Sequence, residues 1–521
     1  MRTTTRAVAA LLAAGLAISA CGGGKVRGAQ TNQPASQAGD SAFVYASNLD
    51  VITDWDPAAS SSNEIIALQN IYETLTKYNP ATKKVEPRLA TSWTADADGR
   101  KWTFKLREGV KFHTGKTMDA DAVKAAIERT RKKKGYAAYI WDAVKSIKVV
   151  DPTTVEFTLS QAAPLDLIAS SGYGAYIYDT AADLAGGKQD GGTGPYVIGD
   201  WQKGREVELT LTAFDGYWGG WDGPHYKTMR FRVSPQETTT WQLLQRGEVT
   251  YAERLGPQLF DQAKAAGLQT SETPSFQNLL VLFNTGTMDV KVRRALQQAI
   301  DYDGLVAAAK GAIAPASGLV PEGLLGHAAG LTPKQDLAGA EALLKEAGYG
   351  PGGKQLTLTM TYAQGDSDQQ LLTTLLTSAL AKLNVKLNAT PLSWNAQWDQ
   401  GKGKKRQDLF VMYWYPDYAD AYSWFLNVFR SMDPPSFNLS YLKDDTIDKE
   451  IDALPGLAAT DRAKAETAYA NLQKQIIQEQ AAVAVPYVQR YRRAYAAGVS
   501  GYVDNPAYPS VVFAYDLKPG K

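Results

Sequence analysis

One cysteine, Cys21, and three histidines, His113, His225 and His327, are all that 521 residues hold of either type. Without a second cysteine the chain closes no internal disulfide, so packing alone must hold its body. The histidines are far apart and none sits in a His-Glu-x-x-His pair; each reads as a surface or core side chain, and no metal or cofactor is expected. Net charge is scarce too: 55 Lys and Arg against 54 Asp and Glu give +1. That leaves no bulk attraction to nucleic acid. The basic runs Arg129 to Lys134 and Lys402 to Arg406 are short and read as solvated helix face or loop. Nucleophile motifs are missing as well. There is no Gly-x-Ser-x-Gly elbow. The stretch Gly348 to Lys354 resembles a phosphate loop only until Gln355, which stands where Ser or Thr would hold magnesium. No enzyme is expected, although 54 acidic residues leave carboxylate pairs, and with them a secreted hydrolase, as an open alternative.

What is present begins with an address. Arg2 and Arg6 precede an uncharged stretch, Ala7 to Ala20, whose 14 residues fall short of the ~20 needed to span a bilayer. It reads as a secretory signal peptide, residues 1–20. Ile18-Ser19-Ala20-Cys21 resembles the bacterial lipobox, which makes Cys21 the lipidated first residue of the mature chain. Localisation follows: the cell membrane, lipid-anchored, on the extracytoplasmic face. Residues 21–40, rich in Gly, Gln, Ala and Ser, read as a flexible tether. Removal of residues 1–20 leaves 501 residues with a formal charge of −1, enough for two or three domain-sized units.

The globular part mixes helix and strand. Trp102, Phe104 and Leu106 alternate with polar residues, as do Val155, Phe157 and Leu159, and Val207, Leu209 and Leu211; each triplet predicts a half-buried strand. Asp119 or Asp121 caps a helix carrying Val123, Ala126 and Ile127. Later the order becomes regular. A helix starts at Asp336 and ends at Gly348, a strand covers Leu356 to Met360, a helix runs from about Asp368 to Leu383, and a strand covers Val385 to Ala389. Leu409 to Trp414 is apolar throughout, as in a strand buried on both faces. Strand, helix, strand marks an α/β unit, and in open α/β sheets ligands bind beyond the carboxyl ends of the strands. Pro416 stops pairing after Trp414, so Tyr415, Asp417, Tyr418 and Asp420 fall at such a crevice.

These segments resemble the family 5 extracytoplasmic solute-binding proteins of ABC importers, the peptide- and nickel-binding group. The likeness rests on Asn70-Ile-Tyr-Glu-Thr-Leu75, Leu89-Ala-Thr-Ser-Trp93 and Trp102 to Phe112. It continues through Gly192-Thr-Gly-Pro-Tyr196, Asp289 to Leu296, and Ile300-Asp301. It implies an α/β, two-lobed periplasmic-binding-protein-like fold of type II, with a hinge between lobes. The first lobe would be 41–283 with 489–521, with an inserted subdomain at about 70–190; the second would be 284–488. It also implies capture of a solute between lobes that close, and delivery by a monomer to a membrane permease driven by separate ATPase subunits.

In peptide-binding members a tryptophan, two residues and an aspartate help form the site, and the aspartate pairs with the ligand's α-ammonium group. Trp414-Tyr-Pro-Asp417 has that spacing, which assigns Asp417 to a ligand ammonium and Trp414, Tyr415 and Trp394 to the walls of side-chain pockets. The backbone of Trp414 and Tyr415 would pair with a peptide as an added strand. Two positions depart from the family. Asp420-Ala421 replaces a common Asp-Pro, and Val411 stands where some oligopeptide binders have the arginine that meets a peptide carboxylate. The expected ligand is a short peptide or related amine-bearing solute. An oligosaccharide is the alternative, in view of 12 Trp and 27 Tyr.

Overall fold

The computed structural model describes residues 42–520, except 48–51, 53, 61–63, 185, 186, 188 and 436. Cys21, the signal and the tether lie outside the described residues.

Alternating apolar residues become sheets. Lys101–Leu106 buries Trp102, Phe104 and Leu106, and Thr154–Leu159 buries Val155, Phe157 and Leu159. The two pair antiparallel, Trp102 opposite Phe157 and Phe104 opposite Val155. With Ala90–Ala95 and Val144–Asp151 outside them they form a four-stranded sheet of their own. The helix Ala120–Lys133 packs on it through Val123, Ala126 and Ile127. Its cap is Asp119, whose carboxylate accepts from the Ala122 amide, satisfying a donor that the first turn leaves unpaired.

A second, larger sheet runs through the rest of the molecule. Its order is Val385–Leu392, Leu356–Ala363, Leu409–Trp414, Gln269–Phe283, Tyr487–Tyr495, Tyr251–Ala252, Ala42–Ser47, Thr228–Val233, Val207–Ala213 and Tyr196–Trp201. Two long strands carry it across the middle. The first part of Gln269–Phe283 pairs with Arg490 to Tyr495; beyond a register break between Pro274 and Asn278 it pairs with Leu409–Trp414 and Val483–Ala484. A break of this kind frees several backbone groups from the ladder and lets a strand bend. Here the Ser275 hydroxyl takes over, donating to the Gln489 carbonyl at 2.6 Å.

Leu409–Trp414 is buried on both faces, and the period of two sorts its side chains. Leu409 and Val411 join Leu279, Val281, Phe283, Leu358 and Met360 in a core roofed by the helices Val290–Ala299, Leu337–Glu346 and Ser367–Lys382. Phe410, Met412 and Trp414 face a larger core that reaches Trp141 and Tyr173 of the chain's first half and Tyr508 near its end. The strand pairs parallel with Leu356–Ala363 but antiparallel with Gln269–Phe283, so the α/β unit is edged by a returning strand. The chain's end is locked on by a buried ion pair: Arg493 meets Asp504 at 3.3 Å, and its guanidinium also donates to the carbonyls of Glu253 and Pro509.

Candidate functional site: an enclosed aspartate

The strand Leu409–Trp414 delivers its last residues to the seam between the two halves of the sheet. Tyr415 is half-buried, Pro416 has no amide to donate, and Asp417 turns inward to 3% exposure. Its carboxylate accepts a hydrogen bond from the Tyr139 hydroxyl; the Asn427 side-chain amide stands at 3.5 Å. Its backbone carbonyl accepts from the Ser171 hydroxyl at 2.6 Å and the Tyr508 hydroxyl at 2.7 Å. Tyr136 and Tyr139 come from the turn of 3₁₀ helix Tyr136–Trp141 beside the four-stranded sheet. Tyr173, Tyr415, Tyr418 and Tyr508 complete a ring of phenols whose hydroxyls are all pushed above their ordinary titration, burial being the largest cause.

Among the described residues no lysine or arginine pairs with Asp417. Burial therefore dominates, and it pushes the carboxyl up to about 6, against the lowering pull of Tyr139. A charge held in so dry a place costs free energy until a cation joins it. Asp420, three residues on, has a different job. Its carboxylate accepts from the Tyr422 amide at 2.7 Å and the Tyr469 hydroxyl at 3.1 Å, and so holds the start of the helix Tyr422–Val428.

The other expected site residues lie in different settings. Trp414 is 5% exposed; its indole N–H is 3.3 Å from the Ser423 hydroxyl and its ring meets Phe437 edge-on. Trp394 opens the helix Trp394–Lys402 and is 46% exposed, its ring 5.6 Å from Trp398. Phe437 links the two, with centroids 4.4 Å from Trp398 and 4.9 Å from Trp414, and it also touches Tyr136. Beside Tyr415 a cleft of about 340 Å³ runs between the two halves. Arg254 crosses it to Asp368 at 3.2 Å, while Tyr413 donates to Asp366 at 3.2 Å.

Sequence reasoning singled out Asp417 as a candidate but not Tyr139, Ser171 or Tyr508. These are 278, 246 and 91 residues away from it along the chain, and no local spacing signals such pairings. The histidines are engaged elsewhere. His113 lies between Asp190 and the Gly194 carbonyl, His225 between the carbonyls of Asp222 and Tyr515, and His327 against that of Val320. Among the described residues no group of His, Cys, Asp and Glu is arranged to hold a metal, and no helix is long and apolar enough to cross a membrane. The signature Gly192-Thr-Gly194 has a plain steric reason: a Cβ on either glycine would meet the Ile71 carbonyl oxygen, at 2.1 and 2.6 Å.

The profile of bacterial extracellular solute-binding proteins, family 5, matches residues 84–434. The chain belongs to this family. Its members are binding proteins rather than enzymes. A curated relative, the probable D,D-dipeptide-binding periplasmic protein DdpA of Escherichia coli (strain K12), is 29% identical over 478 residues, covering 88% of this chain and 90% of its own. Among solved structures, DppA of Helicobacter pylori in complex with the peptide STSA superposes with a TM-score of 0.78 at 22% identity, covering 92% of this chain and 98% of that one. NikA of Brucella suis in complex with Fe(III)-EDTA gives 0.80 at 22% identity, covering 92% and 100%. The fold is the two-lobed α/β fold of type II binding proteins. One fold thus serves a peptide in one case and a metal chelate in another, so the ligand must be argued from the site.

Proposed function

We propose that the chain is the receptor of an ABC importer, that it captures a short peptide or related amine-bearing solute between its lobes, and that it hands the solute on unchanged. The single observation that carries the ligand class is Asp417: a carboxylate with one hydroxyl donor, no cation among the described residues, and burial that raises its titration to about 6. An α-ammonium group supplies the missing charge, three hydrogen-bond donors and a match for the remaining carboxylate lone pairs. Tyr139 then holds the carboxylate in place, and Tyr415, Trp414 and Trp394 stand as candidate walls for ligand side chains. The relative that is named for D,D-dipeptides and the fold neighbour that carries a peptide agree with this reading.

The lobes are assigned as 41–283 with 489–521 and as 284–488, swinging where the sheet ladder breaks at Ser275 to Gln277. Acylation of Cys21 would hold the receptor on the extracytoplasmic face of the membrane. Residues 21–40 would keep it within reach of its permease, raising its local concentration there.

The test is a thermal-shift and calorimetric comparison of free dipeptides and tripeptides, the same peptides N-acetylated, and a sugar panel, on the body lacking residues 1–21. Free peptides are expected to raise the melting temperature and acetylated ones not to. Asp417→Ala should cost about 2–5 kcal/mol of binding, as for one partner of an enclosed charge pair. Equal binding of acetylated peptides, or unchanged affinity in D417A, would overturn the assignment; a response to sugars alone would move it to the oligosaccharide reading. Recovery of bound peptide intact after long incubation checks that no reaction occurs.

A further inference from the structure

Asp417 is held twice, by groups that do different things. Its carboxylate, the group assigned to the ligand, accepts from the Tyr139 hydroxyl. Its backbone carbonyl is met from the same lobe that supplies Tyr139, and both its lone pairs are taken: one by Ser171 at 2.6 Å, one by Tyr508 at 2.7 Å. A backbone oxygen rarely collects two side-chain hydroxyls from 246 and 91 residues away without a reason.

The two donors are not equivalent. The Tyr508 hydroxyl accepts from the Gly172 amide at 2.9 Å, so its one proton is free for Asp417 alone. The Ser171 hydroxyl has a second acceptor, the Tyr173 carbonyl at 2.7 Å, to which it can turn when Asp417 leaves. Both donors sit in closely packed surroundings. Gly172 is pressed so closely to the helix Ile65–Ile71 that a Cβ there would meet Gln69 Nε2 at 2.4 Å. The Tyr508 ring is 5% exposed and packs edge-on against Tyr173.

We propose that Tyr508, seconded by Ser171, is the closure latch of this receptor: it grips, from the first lobe, the carbonyl of the aspartate whose side chain holds the ligand. Lobe closure and ligand capture then converge on one residue. In the empty protein the carboxylate resists enclosure while the carbonyl contact favours it, so the lobes stay parted. An ammonium group at the carboxylate removes the resistance, and the latch engages. The assignment of lobes rests on the function proposed above; the hydrogen bonds do not.

The test needs no ligand. Radii of gyration are measured by small-angle X-ray scattering on the ligand-free body lacking residues 1–21. Asp417→Asn removes the charge but keeps the carbonyl, and should shift the protein from the extended to the compact form. Adding Tyr508→Phe to D417N should return it toward the extended form, with the closed-to-open ratio falling about tenfold, the scale of one hydrogen bond. Only an oxygen is removed, and thermal melts check that the fold survives. Should D417N/Y508F melt early, D417N/S171A carries the same test with a smaller expected return. A native protein as compact as D417N, or hydroxyl variants as compact as D417N, would overturn the latch. Failure of every peptide to bind, with these shifts intact, would overturn only the ligand assignment.

Discussion

Acidifying the empty protein should close it. In the enclosed site Asp417 titrates at about 6, against 3.8 for the free side chain. When the lobes part, the carboxylate regains water and its ordinary titration. Above 6 the group is charged in both forms, and closure bears the whole cost of burying the charge. Below 3.8 it is neutral in both and the cost is gone. In between, the closed form holds the proton more tightly, so closure becomes easier as pH falls. The interval from 3.8 to about 6 is worth about 3 kcal/mol, or about 150-fold in the closed-to-open ratio, and about 25-fold of this should be reached at pH 4.5. Single-molecule energy transfer between dyes on the two lobes reads that ratio directly between pH 7.5 and 4.5. The surrounding phenols do not titrate in this window, since burial raises Tyr136, Tyr139, Tyr173, Tyr415, Tyr418 and Tyr508. Asp420 is also raised by burial, but its partners, the Tyr422 amide and the Tyr469 hydroxyl, belong to the same assigned lobe as Asp420 itself. Asp368, across the cleft from Arg254, is also raised, burial outweighing the pull of that guanidinium, so by the same linkage its protonation adds to closure. Asp417→Asn keeps the Asp368 response and removes that of Asp417. A native closed fraction that stays constant with pH, or follows the same curve as D417N, would refute the reasoning.

Other perturbations separate the parts of the site. Tyr139→Phe removes the donor to a charged acceptor and should weaken peptide binding by about 1.5–3 kcal/mol; the same change should carry the Asp417 titration above about 6, which carboxyl carbon NMR records. Asp504→Ala strands the buried Arg493 guanidinium and should cost about 3–5 kcal/mol of stability, seen as a lower denaturant midpoint at unchanged slope. Trp394→Ala, at a ring 46% exposed, should change stability by about 1 kcal/mol or less. A loss of affinity for peptides with bulky side chains in that stable variant would assign Trp394 to a ligand pocket, whereas unchanged affinity would assign it to the outer surface.

Much of the fold was legible where one face of an element is buried and the other wet. The triplets at 102–106 and 155–159 became strands, and the structure pairs them with each other. Asp119 capped the helix that needed a cap, and Leu409–Trp414 ended where Pro416 required. Val207 shows the limit of alternation: it opens its strand 42% exposed while Leu209 and Leu211 are buried. Also unread were elements whose pattern is ambiguous in one dimension. Ala42–Ser47 is buried on both faces at its C-terminal end, so it lacks a clean period, and Asp445–Thr460 carries Pro455 within a helix.

The site divides along the same physical line. Asp417 could be singled out as a candidate because the signal for it is local, a spacing after an apolar strand. Its demand for a cation depends on how dry it is, and dryness is a property of what distant parts of the chain bring. A tyrosine on a turn near residue 139 makes no pattern that names its partner; only the fold sets its hydroxyl on the carboxylate. The same holds for Tyr508, whose ring reads from sequence as one more aromatic near a terminus and in space accepts from Gly172 while donating to Asp417. Charge and spacing therefore single out a candidate residue, whereas how dry its carboxylate is, and what its carbonyl meets, are set by hydroxyls that the chain returns from far away.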